Sequence, residues 1–166
     1  MTDLLSRLIG ITLLRLGPQD LPAGTTPLTL AVLLYLLATG LTMSLGQPPS
    51  NAPAVLILAL LLPLVLVRIV LTVRGVPERW SQTLTALFGT SAILTAISLP
   101  LASVAGQEEP PVLAVLMSLA VFIWSFAVDA HIWRHALNVT FATGLVVAVV
   151  LFAITLFVIQ TLAGPL

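Results

Sequence analysis

Long stretches of apolar residues alternate with short gaps of polar residues and prolines along this chain of 166 residues. A helix needs roughly 20 mostly apolar residues to cross a bilayer core of about 30 Å. Five stretches fit this requirement, at residues 27–45, 53–73, 81–104, 111–133 and 138–160. Apolar residues run continuously in them and do not alternate with polar ones, so the pattern predicts helices and not the strands of a β-barrel.

The first 26 residues have a different, amphipathic pattern. One face of a helical wheel carries Leu5, Leu8, Ile9, Thr12 and Leu16, and the opposite face carries Asp3, Ser6, Arg7 and Gly10. Such a helix is typical of a segment that lies in the membrane interface. The alternative is a helix folded over one mouth of the bundle. We therefore predict an all-α protein, with an amphipathic helix and connector in residues 1–26 and a five-span bundle in residues 27–166.

Composition supports this prediction, since 59% of the residues are hydrophobic and 7% are charged. Soluble domains carry about a quarter charged residues, so a soluble fold is excluded. The net charge of zero leaves no basic surface for a nucleic acid. The absence of cysteine excludes disulfides and thiol chemistry. The expected environment is the lipid bilayer, with no cofactor and no metal ion.

The positive charges predict the orientation. All six are arginines, and the five-span scheme places every one at the same side: Arg7, Arg15, Arg68, Arg74, Arg79 and Arg134. The loops of the other side carry only Glu108 and Glu109. By the positive-inside rule the N-terminus is cytoplasmic and the C-terminus periplasmic. The lack of lysine and cysteine fits a bacterial cytoplasmic (inner) membrane.

Two charged residues fall inside the predicted spans, Arg68 in the second and Asp129 in the fourth. They lie at comparable depths from the arginine-bearing side. An ionised side chain within a bilayer requires a partner. We therefore predict an ion pair between these two helices, which serves as a packing clamp or, alternatively, as part of a proton or ion relay.

A polar cluster at the end of the fourth span contains His131, Arg134 and His135. The two histidines are four residues apart and share a helix face, a spacing that can bind a metal ion. Further ligands are not evident, so we expect hydrogen bonds to loops or lipid headgroups. Trp80 and Trp133 are predicted to anchor the third and fourth spans at the membrane interface.

Other residues are predicted to act inside the bundle. Gly89, Gly144 and Ala148 have small side chains that let neighbouring helices approach closely. The polar groups of Tyr35 and Trp124 are expected to find partners there, because both residues fall deep within spans.

Two local patterns carry a resemblance to a known family. The sequence Arg-Trp-Ser-Gln-Thr-Leu-Thr-Ala-Leu-Phe-Gly-Thr leads from Arg79 into the third span, and Trp124 is followed by a polar turn through His135 to Asn138. With five short-looped spans and the preceding amphipathic segment, the chain resembles the Yip-domain family, named for interaction with Ypt/Rab GTPases, and its bacterial relatives. The Asp-Leu-Tyr-Gly-Pro stretch of the eukaryotic members is absent. The resemblance implies a small multi-pass scaffold or interaction protein.

The pattern contains no catalytic residue set, phosphate loop, zinc-protease helix or dinucleotide fingerprint. We therefore expect a non-enzymatic scaffold, assembly factor or accessory subunit that contacts other membrane proteins or a second copy of itself. The alternative is a small transporter or channel component with a polar cytoplasmic vestibule around Arg68, Asp129, His131 and His135. A polar cavity that reaches mid-membrane would favour transport, and a dry core of small residues would favour the scaffold.

Overall fold

The computed structural model describes residues 2–45, 49–105 and 110–164, and all regular structure in these ranges is helical. The six α-helices are α1 (Thr2–Thr12), α2 (Thr25–Leu45), α3 (Ala52–Arg74), α4 (Trp80–Ala105), α5 (Val112–Leu137) and α6 (Phe141–Ala163). Helices α2 to α6 are each long and apolar enough to cross a membrane, which confirms the predicted fold class. Glu108 and Glu109, predicted for one loop, lie outside the described residues.

The connection between α5 and α6 differs most from the sequence prediction. Helix α5 continues beyond Trp133 to Leu137, and α6 begins at Phe141 instead of residue 138. Asn138 ends α5 in a left-handed conformation with φ of 54°, which asparagine tolerates better than most residues. Thr140 then caps α6 by accepting a hydrogen bond from the Thr143 amide. The polar residues around His135 therefore belong to the last turns of a helix.

The helices do not all pack in the order of the chain. Helix α4 is central, because α2, α3 and α5 all lie against it, while α6 packs between α5 and α3. Helix α2 has little contact with α3, although only a short connection separates them. Short connections usually join helices that pack together, and this pair is an exception. Ala31 and Ala38, both buried, lie on the inner side of α2 and leave room for close packing.

The core is densest where α3 and α5 end and α4 and α6 begin. We call this the arginine end, because Arg74, Arg79 and Arg134 lie there. A cluster of buried residues joins α3, α4 and α5 near this end: Leu71, Leu84, Phe88, Trp133, Ala136 and Leu137. This cluster closes the arginine end of the bundle.

Helix α1 packs against the bundle, on α4 and α5. Leu8 and Ile11 are 1% and 0% exposed, and they belong to one cluster with Ala86, Val128 and Ile132. Leu5 and Ile9, predicted to share the face of Leu8, are instead exposed. Helix α1 is therefore apolar on two sides, one against the bundle and one available to lipid. The structure thus shows α1 packed against α4 and α5, and its predicted position in the membrane interface stays a prediction.

Candidate functional site

A cavity of about 410 Å³ lies between the five long helices. Every one of them supplies lining residues, including Tyr35 of α2, Pro63 of α3, Ser91 and Thr95 of α4, Asp129 of α5 and Thr155 of α6. Binding sites for small molecules have volumes of roughly 300 to 1,000 Å³. The cavity is therefore large enough for a small ligand.

The walls of the cavity are mainly apolar and aromatic. Four aromatic side chains line it, those of Tyr35, Phe88, Trp133 and Phe152. The rings of Tyr35 and Phe88 are in contact, with 5.2 Å between their centroids. Among the lining residues in the described part of the chain, Asp129 is the only charged one. The cavity thus combines aromatic walls with one carboxyl group.

The predicted ion pair between Arg68 and Asp129 is not formed. Arg68 is exposed, and its Nη1 donates a hydrogen bond to the carbonyl oxygen of Pro77 at 3.3 Å. Across residues 2–45, 49–105 and 110–164, the one ion pair joins Arg7 to Asp3 within α1. A long arginine side chain reaches the end of its helix, where polar groups are available, whereas the short side chain of Asp129 stays inside. The sequence indicated that Arg68 and Asp129 lie at similar depths in the membrane, but it did not indicate that their side chains have different surroundings.

A second space of about 370 Å³ adjoins the cavity and shares Thr95 with it. It runs between α2, α4 and α5 on the side away from the arginine end, and its hydroxyl groups belong to Thr42, Thr95, Ser98, Ser118 and Ser125. Ser98 and Ser118 each donate to a carbonyl of their own helix at 2.9 Å. Their oxygen lone pairs remain able to accept hydrogen bonds from a ligand. We call this space the hydroxyl groove.

His131 attaches the segment after α1 to the bundle. Its Nε2 lies 3.0 Å from the carbonyl oxygen of Leu16, and because a carbonyl can only accept, this nitrogen carries the proton. The Trp124 indole N–H donates to the carbonyl oxygen of Thr12 at 3.0 Å, in agreement with its expected partner inside the protein. His131 is buried and does not face the cavity. Its role in the structure is to hold α1 in place.

The remaining members of the predicted polar cluster lie at the arginine end. His135 lines a small polar pocket of about 250 Å³ together with Arg79, Gln82 and Asn138. Its ring contacts that of His131 edge to face, with 4.6 Å between centroids. Arg134 is exposed. In the part of the chain that the structure describes, no group of three or more histidine, aspartate or glutamate side chains could hold a metal ion.

Two arginines cap the C-terminus of α5. The Arg79 Nη1 donates to the carbonyl oxygens of His135 and Ala136, at 3.2 and 2.9 Å. Arg74 donates to the carbonyl oxygen of Leu137 at 3.4 Å. The last carbonyls of a helix lack partners within the helix and carry partial negative charge, so both arginines stabilise this end. Arg74 and Arg79 therefore stabilise the packing of α5, in addition to placing positive charge at this end of the bundle.

The two predicted tryptophan anchors occupy different environments. Trp133 is 2% exposed and belongs to the core, so the prediction that it anchors α5 at the interface is wrong. Helix α5 continues one further turn, which moves Trp133 inward from the helix end. Trp80 is half-buried, and its indole N–H donates to the Leu64 carbonyl oxygen at 3.1 Å. It joins α4 to α3.

Gly144 and Gly89 mark two close approaches. A Cβ at Gly144 would overlap the carbonyl oxygen of Ala130, so α5 and α6 cross in direct backbone contact there. Ala148, four residues along α6, is buried in the core. A Cβ at Gly89 would overlap the side chain of Leu8. The helix that packs against this glycine is therefore α1 and not another long helix.

No protein-family model, curated protein or solved structure matches the chain. The resemblance to the Yip-domain family therefore stays a prediction.

Sequence reasoning missed the hydroxyl residues Ser91, Thr95 and Ser98, which line the cavity or the groove. Their spacing of four and then three residues, which aligns them on one face of α4, was the available signal.

Proposed function

We propose that this chain is a small, non-enzymatic transporter or channel component of a bacterial cytoplasmic membrane, and that it binds a solute between its helices. The observation that supports this proposal is the position of Asp129 in a cavity of about 410 Å³. Ionisable residues inside membrane spans are unfavourable and mark solute, ion or proton pathways. Of the four residues predicted for a vestibule, Asp129 alone lines the cavity, so the proposed site lies deeper than that vestibule.

The hydroxyl groove supports a path to the side opposite the arginine end. By the positive-inside rule, we place the arginine end in the cytoplasm and the C-terminus in the periplasm. The core cluster around Leu84 and Trp133 then separates the cavity from the cytoplasm. A solute would enter from the periplasmic side, past Ser98 and Thr95, and reach Asp129.

Cysteine labelling tests this path directly, because the chain has no cysteine of its own. Thr95→Cys and Ser98→Cys variants in sided membrane vesicles are treated with a membrane-impermeant methanethiosulfonate reagent. A Val149→Cys variant is the matched control, since Val149 is an exposed apolar residue of α6 that lipid would cover. We expect the two groove positions to react from the periplasmic side and Val149→Cys to remain unlabelled. Equal, slow labelling at all three positions would contradict the proposed path.

A second candidate is the scaffold or accessory subunit, which is supported by the first half of α5. This half is exposed on nearly all sides, and its large apolar residues include Val112, Leu113, Val115, Leu116 and Met117. Lipid or a helix of another protein, including a second copy, could cover it. Purification in a gentle detergent would retain such a partner, whereas recovery of a monomer without associated protein would count against this candidate.

A further inference from the structure

We propose that the cavity binds hydrophobic organic cations that carry one positive charge. This inference rests on the proposed function, since it names the class of solute that the same site would take. It follows from three features of the cavity, which are its single carboxyl group, its aromatic walls and its size.

The carboxyl group of Asp129 determines the sign and the number of charges that a bound ligand should carry. Within the described ranges, Asp129 is the only charged residue that lines the cavity, and no arginine or histidine forms an ion pair with it. An ionised aspartate inside a bilayer requires a positive partner. One monovalent cation would satisfy it, whereas an anion would be repelled. In an apolar surrounding this attraction is much stronger than in water.

The aromatic walls select an organic cation over an inorganic one. The faces of aromatic rings attract cations within about 6 Å of the ring centre, and the effect is larger away from water. Tyr35, Phe88, Trp133 and Phe152 all line the cavity. A metal ion would instead require several oxygen or nitrogen ligands, and no cluster of three such acidic or histidine groups occurs where the structure is described.

The hydroxyl groups fit the same class of ligand. Ser98 and Ser118 use their hydrogen atoms in bonds to helix carbonyls, so they present oxygen lone pairs to the groove. Lone pairs attract positive charge. The entry groove and the cavity therefore favour the same sign of charge, and apolar residues supply the remaining contact surface.

Tetraphenylphosphonium is a suitable probe, because it carries one positive charge surrounded by four phenyl rings. Tetraphenylborate has the same shape and one negative charge, which makes it a matched control for charge. Binding of radiolabelled probe is measured by equilibrium dialysis with the purified full chain in lipid nanodiscs. Empty nanodiscs give the background of partition into lipid.

We expect saturable binding of tetraphenylphosphonium and, in a separate experiment, no saturable binding of radiolabelled tetraphenylborate. The Asp129→Asn variant should bind at least about tenfold more weakly, because the charge is lost and the shape is kept. The Glu78→Gln variant removes an exposed carboxylate outside the cavity and should bind like the wild type. The Thr155→Leu variant keeps Asp129 and fills part of the cavity without adding an aromatic ring, so its affinity should also fall.

Three results would overturn the inference. These are the absence of saturable binding to the wild type, equal binding of the anion, and unchanged affinity in folded Asp129→Asn protein. If Asp129→Asn fails to fold, the anion control and the Thr155→Leu variant still decide the question. If the probe does not bind but the Thr95→Cys and Ser98→Cys variants react from one side, the solute class is wrong and the proposed path stands. If neither position reacts, the proposed function itself is contradicted.

Discussion

Replacement of Gly144 by alanine is expected to force α5 and α6 apart. The added Cβ would overlap the Ala130 carbonyl oxygen and lie 3.0 Å from the Arg134 amide nitrogen. Both are backbone atoms of α5, so no side-chain rotation can relieve the overlap. The helices must separate until the contact reaches an ordinary van der Waals distance, and this separation disturbs the packing of Ala148 as well.

The expected loss can be estimated from overpacked cores, in which an additional methyl group destabilises by typically 1–3 kcal/mol. In a chain of this size, about 1 kcal/mol shifts Tm by roughly 2–4 °C, so we expect Tm to fall by roughly 2–12 °C. The assay is thermal unfolding of purified protein in detergent, followed by circular dichroism.

Gly40 provides a matched control for this substitution. It lies within α2, and a Cβ there would meet no atom within 4 Å. Because alanine is the better helix former by about 1 kcal/mol in soluble helices, the Gly40→Ala variant should be at least as stable as the wild type. A Gly144→Ala variant that unfolds no earlier than Gly40→Ala would refute the close crossing of α5 and α6.

Three further predictions concern contacts at the arginine end and around α1. The Arg79→Ala variant should lose about 1–2 kcal/mol of stability, because two carbonyls of α5 lose their charged donor; an unchanged Tm in thermal unfolding would contradict the cap. In Gly89→Ala, the new methyl group should displace the buried Leu8 and speed protease cleavage of the segment after α1; cleavage at the wild-type rate would contradict this contact. The Trp124→Phe variant should lose about 1 kcal/mol of the free energy that holds α1, seen as faster hydrogen exchange in α1; unchanged exchange would show that the hydrogen bond to Thr12 is not formed.

The long helices could be predicted from the sequence because a bilayer imposes one simple requirement, a run of about 20 apolar residues. Each of the five predicted stretches overlaps one of the helices α2 to α6, and the largest difference lies at the end of α5. The end of α5 was harder to predict, since Arg134 and His135 are polar and fall in the gap between the fourth and fifth predicted stretches. They remain helical because His131 bonds to the Leu16 carbonyl and Arg79 caps the helix end, and both contacts come from distant parts of the chain.

The candidate site was only partly predictable for a related reason. The sequence identified Asp129 as unusual through its depth in a span, but the direction of its side chain depends on how five helices pack. Periodicity in an apolar helix gives little information on direction, because lipid and protein interior are both apolar. This is why Arg68 and Asp129 were matched by depth although Arg68 bonds to Pro77 and Asp129 lines the cavity, and why Trp133 was expected at the interface.

The central claim is that a positively charged solute occupies the cavity beside Asp129. The most direct test is protection of a Thr95→Cys variant from the methanethiosulfonate reagent by tetraphenylphosphonium, since Thr95 lines both the cavity and the hydroxyl groove. We predict that labelling slows as the probe concentration rises, and that the protection disappears when Asp129→Asn is added. Labelling that proceeds at the same rate with and without the probe would contradict the account.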